Sequence, residues 1–353
     1  MIYDKFRKFS VLILFMTSVL FSLVAQATDE PAQASTEESN QFDVGAAILG
    51  HVTDDYEWHL WGHTSVPLPV ILYSSSKGLD LFLSNKIEEG KVFHGYKLEE
   101  GKIISDTDDF VDFSMTKTVI EILIACALLL WIFISVAKTY TRRKDLAPKG
   151  FQSLIEPIIL FVRDDIAKAS IGEKKYKKFL PLLLTIFFFI WVNNMLGLIP
   201  IFPGGANVMG NISVTLALAV IVLIITLFIG NKHYWKHILW MPGVPALVKI
   251  LLLTPIEILG VFQRPAVLMI RLFANVLAGH IIILSFVFLI FIFGMKGEAG
   301  GWGFAPISMA FAIFMNAMEL LVAFLQAFVF TLLTAMYIGA CLEDPHEEEH
   351  VAV

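Results

Sequence analysis

A single arginine stands inside a run that is otherwise apolar enough for a bilayer. The stretch PAVLMIRLFANVLAGHIIILSF, Pro265 to Phe286, carries Arg271, and with it Asn275 and His280. An arginine at the centre of a membrane helix costs about 2.5–3.5 kcal/mol on insertion scales, which makes function the default reading of such a residue. The plain alternative is a guanidinium that snorkels to a headgroup or neutralises a structural carboxylate. Apolar neighbours extend many positions to either side of Arg271, so snorkelling is difficult. Glu257, Arg264 and Arg271 recur at intervals of seven. Seven residues return a helix to nearly the same face, so the three form one polar stripe. His280 lies nine residues past Arg271, on roughly the opposite face. One helix therefore shows polar groups to two different partners.

The rest of the chain is built to match. Of its 353 residues, 57% are hydrophobic and 16% charged, with 30 phenylalanines. A water-soluble domain would need more charge to cover its surface. The long apolar runs lack the alternation of a β-barrel, so the expectation is an all-α polytopic membrane protein. Cys126 and Cys341 lie far apart and suggest neither a disulfide framework nor a metal pattern.

Taken in order, residues 1–27 read as a signal peptide. Lys5, Arg7 and Lys8 precede the apolar run Val11 to Val24, and Ala25-Gln26-Ala27 is a small-x-small cleavage site. The alternative is an uncleaved first membrane helix. Thr28 to Asn40 has a disorder-like composition. Phe42 to Phe113 mixes aromatics, runs such as Val70-Ile71-Leu72-Tyr73, and turn signals at Lys77-Gly78, Glu89-Gly90 and Glu100-Gly101. It reads as a small β-containing extramembrane region. Residues 28–115 hold 17 acidic side chains against 5 lysines, a charge suited to translocation. His51, His59 and His63 with Asp54, Asp55 and Glu57 invite a metal reading, because His59 and His63 have the spacing of a helical ligand pair. Pro67 and Pro69 follow closely and the stretch is not HExxH, so a structural role is preferred. No cofactor or metal is expected, and nucleic acid is not an expected partner.

Thr118 to Val136 is the first span of the mature chain. Residues 137–178 carry 11 Lys/Arg against 5 Asp/Glu, which marks the cytoplasm. The mature N-terminus is then outside, in agreement with the signal peptide. Phe151 to Ala167 reads as an amphipathic surface helix. Phe179 to Leu198, with Asn193-Asn194 near its end, and Ile212 to Ile229 are the second and third spans, joined by an uncharged outer turn. Lys232, Lys236 and Lys249 mark the cytoplasm again. Two long segments follow. Val244 to Phe293 would be ~75 Å as one helix and Ile307 to Ala340 ~50 Å, against a hydrocarbon core of ~30 Å, so both must tilt or kink. The glycine-rich stretch Gly294 to Pro306 is expected to be an outer loop between them. Residues 343–353 form an acidic cytoplasmic tail.

The last segment carries Asn316, Glu319, Gln326 and Tyr337, with Glu319 and Gln326 seven apart on one face and Tyr337 added to it. The two long segments run antiparallel. His280 lies nine residues outward of Arg271, and Glu319 seven outward of Gln326. If Arg271 and Gln326 share a depth, so do His280 and Glu319. A histidine and a glutamate at one depth and open to the outer side make a proton entry relay. The alternative is a static pair that holds two helices together.

These residues resemble subunit a of the F-type ATP synthase, the stator of its membrane motor. The resemblance rests on Arg271 to His280 (RLFANVLAGH), on Leu325-Gln326-Ala327-Phe328 with Tyr337, and on Asn194 to Pro200. It covers about Thr116 to Cys341, within a membrane domain of residues 116–342. Ala274 stands where the family usually has glycine, and the acidic N-terminal extension resembles Bacteroidetes-type versions. Some bacterial members exchange Glu and His at the positions of His280 and Glu319, which keeps the pair. The resemblance implies five transmembrane helices, the last two long and tilted, plus a surface helix. It implies a ring of c subunits, b subunits and the rest of the complex as partners, in a cell inner membrane, with protons passing through two half-channels. By resemblance, Arg271 separates the half-channels and attracts a ring carboxylate. Asn275, His280, Glu319 and Gln326 line the outer one, with Asn194 and Tyr337 also on the proton path. Glu257 and Arg264 border the exit.

Three rivals remain at this stage. A sodium-driven version of the motor would differ chiefly in the ring, which this chain does not contain. A secondary transporter predicts an internal repeat, and none is visible. A binding module on a membrane anchor leaves Arg271 and Glu319 unexplained. The chain lacks GxxxxGK[ST], so ATP chemistry must belong to other subunits.

Overall fold

The structure is a computed structural model, and it describes Gly45 and residues 53–342, less 62–63, 76–77, 88–90, 100, 106–109, 143–147, 200–203, 240–247, 249–250, 252 and 296. The signal peptide, the segment 28–40, His51, His63, the Glu89-Gly90 turn, Lys249 and the acidic tail lie outside the described residues.

The extramembrane region is made of short antiparallel strands: β1 (Glu57–Trp61), β2 (Thr64–Pro67), β3 (Pro69–Ser74), β4 (Gly78–Leu83), β5 (Tyr96–Glu99), β6 (Lys102–Ser105) and β7 (Phe110–Asp112). β1 pairs with β2, β5 with β6, and β3 lies between β4 and β7. Alternation along β3 buries Val70 and Leu72 and turns Tyr73 outward. The inward residues join Phe82, Ile87, Tyr96 and Ile103 in a small core. Gly78 and Gly101 take positive φ at the starts of returning strands, where the turn signals stood. His59 sits in β1, so its four-residue spacing to His63 is not that of one helix face. No group of three potential metal ligands occurs among the described residues.

This region is bonded to the first membrane helix, α1 (Lys117–Arg142). The first N–H groups of a helix have no partner within it. Here the Lys117 N–H donates to the Asp55 carbonyl at 3.0 Å and the Thr118 N–H to Asp54 Oδ1 at 3.2 Å. Tyr56 donates its hydroxyl to Asp112 at 2.6 Å. Burial, then that bond, pushes the phenol above its usual range.

After α1 come α2 (Phe151–Phe161), which runs on through a π-helical turn at Val162–Lys168, then α3 (Tyr176–Gly197), α4 (Ile212–Ile229), α5 (Lys232–Leu239), α6 (Thr254–Met295) and α7 (Glu298–Leu342). Among the described residues, five helices are long and apolar enough to cross a membrane: α1, α3, α4, α6 and α7. α4 shows why such sequences are helical despite their many β-branched residues. With no water in hydrocarbon to take up backbone groups, only internal hydrogen bonding is affordable. Asn211 caps its start by accepting from the Ser213 N–H at 3.0 Å, and Gly230 closes its end.

α3 is the centre of the membrane part. Leu183, Phe187, Phe188 and Ile190 are fully buried, against Leu268 and Leu272 of α6, Ala327, Phe330 and Ile338 of α7, and Val162 and Ile166 of the π turn. The expected surface helix is therefore packed into the bundle along one side. Exposed leucines, isoleucines and phenylalanines cover the outer faces, as lipid contact requires.

The long segments differ from expectation at their junction. α7 already begins at Glu298, so most of the glycine-rich stretch is helical rather than loop. The glycines serve close approach. A Cβ at Gly301 would meet the Gly294 backbone at 3.0 Å, and one at Gly300 the Phe293 carbonyl at 2.7 Å. Phe293 and Phe304 stack with centroids 3.8 Å apart. Gly297, at φ 146°, makes the reversal. With 42 and 45 residues, α6 and α7 are ~63 and ~68 Å long, twice the hydrocarbon thickness.

Candidate functional site

The antiparallel pairing of α6 and α7 brings His280 to Glu319. Nδ1 of the imidazole lies 3.2 Å from Glu319 Oε1, and both side chains are largely buried. The contact has ion-pair distance, while neither glutamate oxygen has a donor in line with it among the described residues. Nδ1 also faces the Val276 carbonyl at 3.2 Å, and Nε2 faces the Gly197 carbonyl of α3 at 3.1 Å. Only a ring protonated on both nitrogens can donate on both sides at once. The ring is thus oriented by three helices.

One glycine makes this possible. A Cβ at Gly279 would collide with the Glu319 carboxylate, whereas one at Gly197 would make only ordinary contacts, 3.9 Å from the His280 ring and 3.5 Å from the Ala206 carbonyl. Gly279 is a site residue that the side-chain pattern passes over, and its place beside His280 was the available signal.

The pair opens into a cavity of about 470 Å³. Asn316, Ile283, Leu284, Gly204 and Gly205 form its walls together with Glu57, Trp58 and Lys117. Asn275, Gln326 and Asn194 are not among its lining residues. Asn194 is buried on α3, and neither its amide nitrogen nor its oxygen has a hydrogen-bond partner among the described residues. Gln326 is buried at the centre of α7.

Arg271 occupies a different face. It is exposed, and Ala274, Asn275 and Ala278 beside it are exposed too, so the guanidinium sits in an open strip of small side chains. Arg264, also exposed, places its guanidinium 5.7 Å from the centroid of the Tyr337 ring, a cation–π contact that ties α6 to α7. Glu257 is half-buried in the first turn of α6.

One ionisable residue escaped sequence reasoning. Glu121 of α1 is fully buried, and its Oε2 accepts from the Ala206 N–H at 2.7 Å. Its signal was a lone carboxylate inside an apolar run, outweighed by the composition around it.

Residues 119–339 match the family model described as ATP synthase A chain, and residues 47–120 match a family of unknown function. The chain is 41% identical over 244 residues to "ATP synthase subunit a" of Chloroherpeton thalassium, covering 68% of this chain and 70% of that protein. It is 35% identical over 334 residues to "ATP synthase subunit a" of an Anaeromyxobacter species, covering 91% and 77%. With five membrane-crossing helices, a long antiparallel pair and matched residues spanning both, the chain belongs to the ATP synthase A chain family, the membrane-sector stator subunit a of the F-type ATP synthase.

Proposed function

We propose that this subunit carries protons between two half-channels and a rotating ring of c subunits, and that the His280–Glu319 contact is the entry relay. The observation that carries this reading is that contact, 3.2 Å long and opening into a cavity. Imidazole and carboxylate exchange protons near neutrality and differ in charge with each exchange. An imidazole is a poor ligand for a hard alkali cation, which favours protons over sodium.

From Glu319 and His280 the proton passes to a ring carboxylate. Arg271 faces outward among small residues, a surface that lets a partner helix approach closely. A unit pair ~4 Å apart at an effective dielectric near 20 attracts by ~4 kcal/mol, enough to favour the ionised ring carboxylate in the membrane. Water must screen this pair, or the rotor would stall in a permanent salt bridge. Arg271 also repels a proton moving directly between half-channels. Asn275 borders this strip. Gln326 and Asn194 supply buried amides near the path, and Glu257, Arg264 and Tyr337 mark the exit toward the cytoplasm. The subunit sits in a cell inner membrane with b subunits beside it, with residues 28–115 in the periplasm and the C-terminus in the cytoplasm. A proton crossing 100 mV yields ~2.3 kcal/mol, so several must pass per ATP.

The test is proton flux in reconstituted vesicles, normalised to assembled complex. His280→Gln and Glu319→Gln should each lower it at least ~10-fold, the scale of a lost acid–base group. The exchange His280→Glu with Glu319→His should recover more flux than either single change, because a relay tolerates the order of its groups. Arg271→Ala should abolish ATP synthesis while assembly persists. Unchanged normalised flux in both single variants would reduce the pair to scaffolding.

A further inference from the structure

Three residues that line the cavity lie before the stretch matched by the ATP synthase A chain family model. That match begins at residue 119, whereas Glu57, Trp58 and Lys117 fall in the region matching a family of unknown function. We propose that this region builds the outer mouth of the ion path, so that cations reach His280 and Glu319 through the opening framed by Glu57, Trp58 and Lys117. The inference rests on the proton-entry role given above to that pair.

Three observations converge on it. First, one cavity of about 470 Å³ is lined both by Glu57, Trp58 and Lys117 and by His280 and Glu319. Second, the frame is held in register with the membrane helices. Asp54 and Asp55 bind the first N–H groups of α1, and Leu68 N–H donates to the Tyr56 carbonyl at 3.2 Å. Glu57 is positioned by Ser65, whose hydroxyl donates to Oε2 at 2.7 Å across the β1–β2 pair. A covering that merely rested on the bundle would need none of these bonds to the start of α1. Third, the cavity lining brings ionisable groups of the strand region and of the start of α1, Glu57 and Lys117, into one space with His280 and Glu319. Lys117 is buried at the start of α1, where Asp54 and Asp55 bind the first N–H groups of the helix. Glu57, Lys117, His280 and Glu319 can each gain or lose a proton, so the ligand class is the proton.

The experiment uses the whole complex in membranes, in a chain with Cys126 and Cys341 replaced by alanine. Glu57→Cys is treated with a bulky, membrane-impermeant thiol reagent, and proton flux is compared before and after in the same sample. Blocking the mouth should cut flux several-fold. Trp58→Cys should behave alike, and it replaces Glu57→Cys if loss of the Ser65 bond impairs folding. Leu79→Cys, on β4 and 67% exposed, should label as fully with no loss. Complete labelling at positions 57 and 58 with unchanged flux would overturn the mouth. Equal loss at position 79 would overturn it too, because position would then not matter. Failure of the entry relay itself reads differently: flux in the unlabelled complex would then survive substitution of both His280 and Glu319.

Discussion

At the scale of single residues the site depends on a missing side chain. Replacing a helical glycine by alanine usually stabilises a helix, by about 0.5–1 kcal/mol. At Gly279 the sign should reverse, because the new Cβ would occupy the place of the Glu319 carboxylate. Forcing one methyl into a packed contact costs about 1–3 kcal/mol. The expected outcome for Gly279→Ala is a several-fold loss of proton flux per assembled complex, with the carboxylate pushed away from His280. Glu319→Asp, shorter by one methylene, should restore part of that flux when combined with it. Full flux in Gly279→Ala alone would show that the contact is wider in the working complex than the 3.2 Å seen here. Much of this site was legible in the sequence. Arg271, His280 and Glu319 announce themselves because charge in an apolar run is costly, and an antiparallel depth argument paired the last two. What escaped were the backbone partners, the Gly197 and Val276 carbonyls, which are the same chemical group at every residue and carry no mark in the letters.

Elements show where helix periodicity is a poor guide. The third span was read to the residue, Ile212–Ile229, because Asn211 and Gly230 are cap residues whose chemistry is local. The stretch Gly294 to Pro306 was misread because glycine signals two things, a turn or a close approach, and only the partner element decides between them. Glu121 poses the same problem in reverse. It joins α1 to the segment after α3 through the Ala206 N–H, a contact between residues 85 positions apart. Glu121→Ala would leave that N–H buried without its acceptor, at a cost of about 1–3 kcal/mol. Glu121→Gln keeps an oxygen in place and should preserve the contact. Thermal unfolding of the purified complex should therefore fall for alanine and stay near the parent value for glutamine. Equal loss in both would mean that the charge of Glu121, not its hydrogen bond, holds the two elements.

For the whole molecule the argument turns on orientation. Five helices among the described residues are able to cross, and five crossings would put the two ends of the membrane part on opposite sides. Charge selects which. Residues 137–178, between the first and second spans, hold 11 Lys/Arg against 5 Asp/Glu, while residues 28–115 hold 17 Asp/Glu against 5 lysines. Basic loops stay in the cytoplasm, and acidic segments cross readily. The proposed entry path bears on the same question. Glu57 and Trp58 of the strand region line the cavity, so proton entry from the periplasm would need that region outside, whereas a reversed chain would draw its protons from the cytoplasm. Ser75 lies in the turn after β3 and is exposed, which makes it a reporter for this side of the membrane. In a chain lacking Cys126 and Cys341, Ser75→Cys should react with an impermeant thiol reagent in cells whose outer membrane alone has been permeabilised. A cysteine at Lys149, in the basic segment before α2, should react only in inverted vesicles. Labelling of position 75 confined to inverted vesicles would reverse the topology, and with it the direction in which His280 and Glu319 pass their proton.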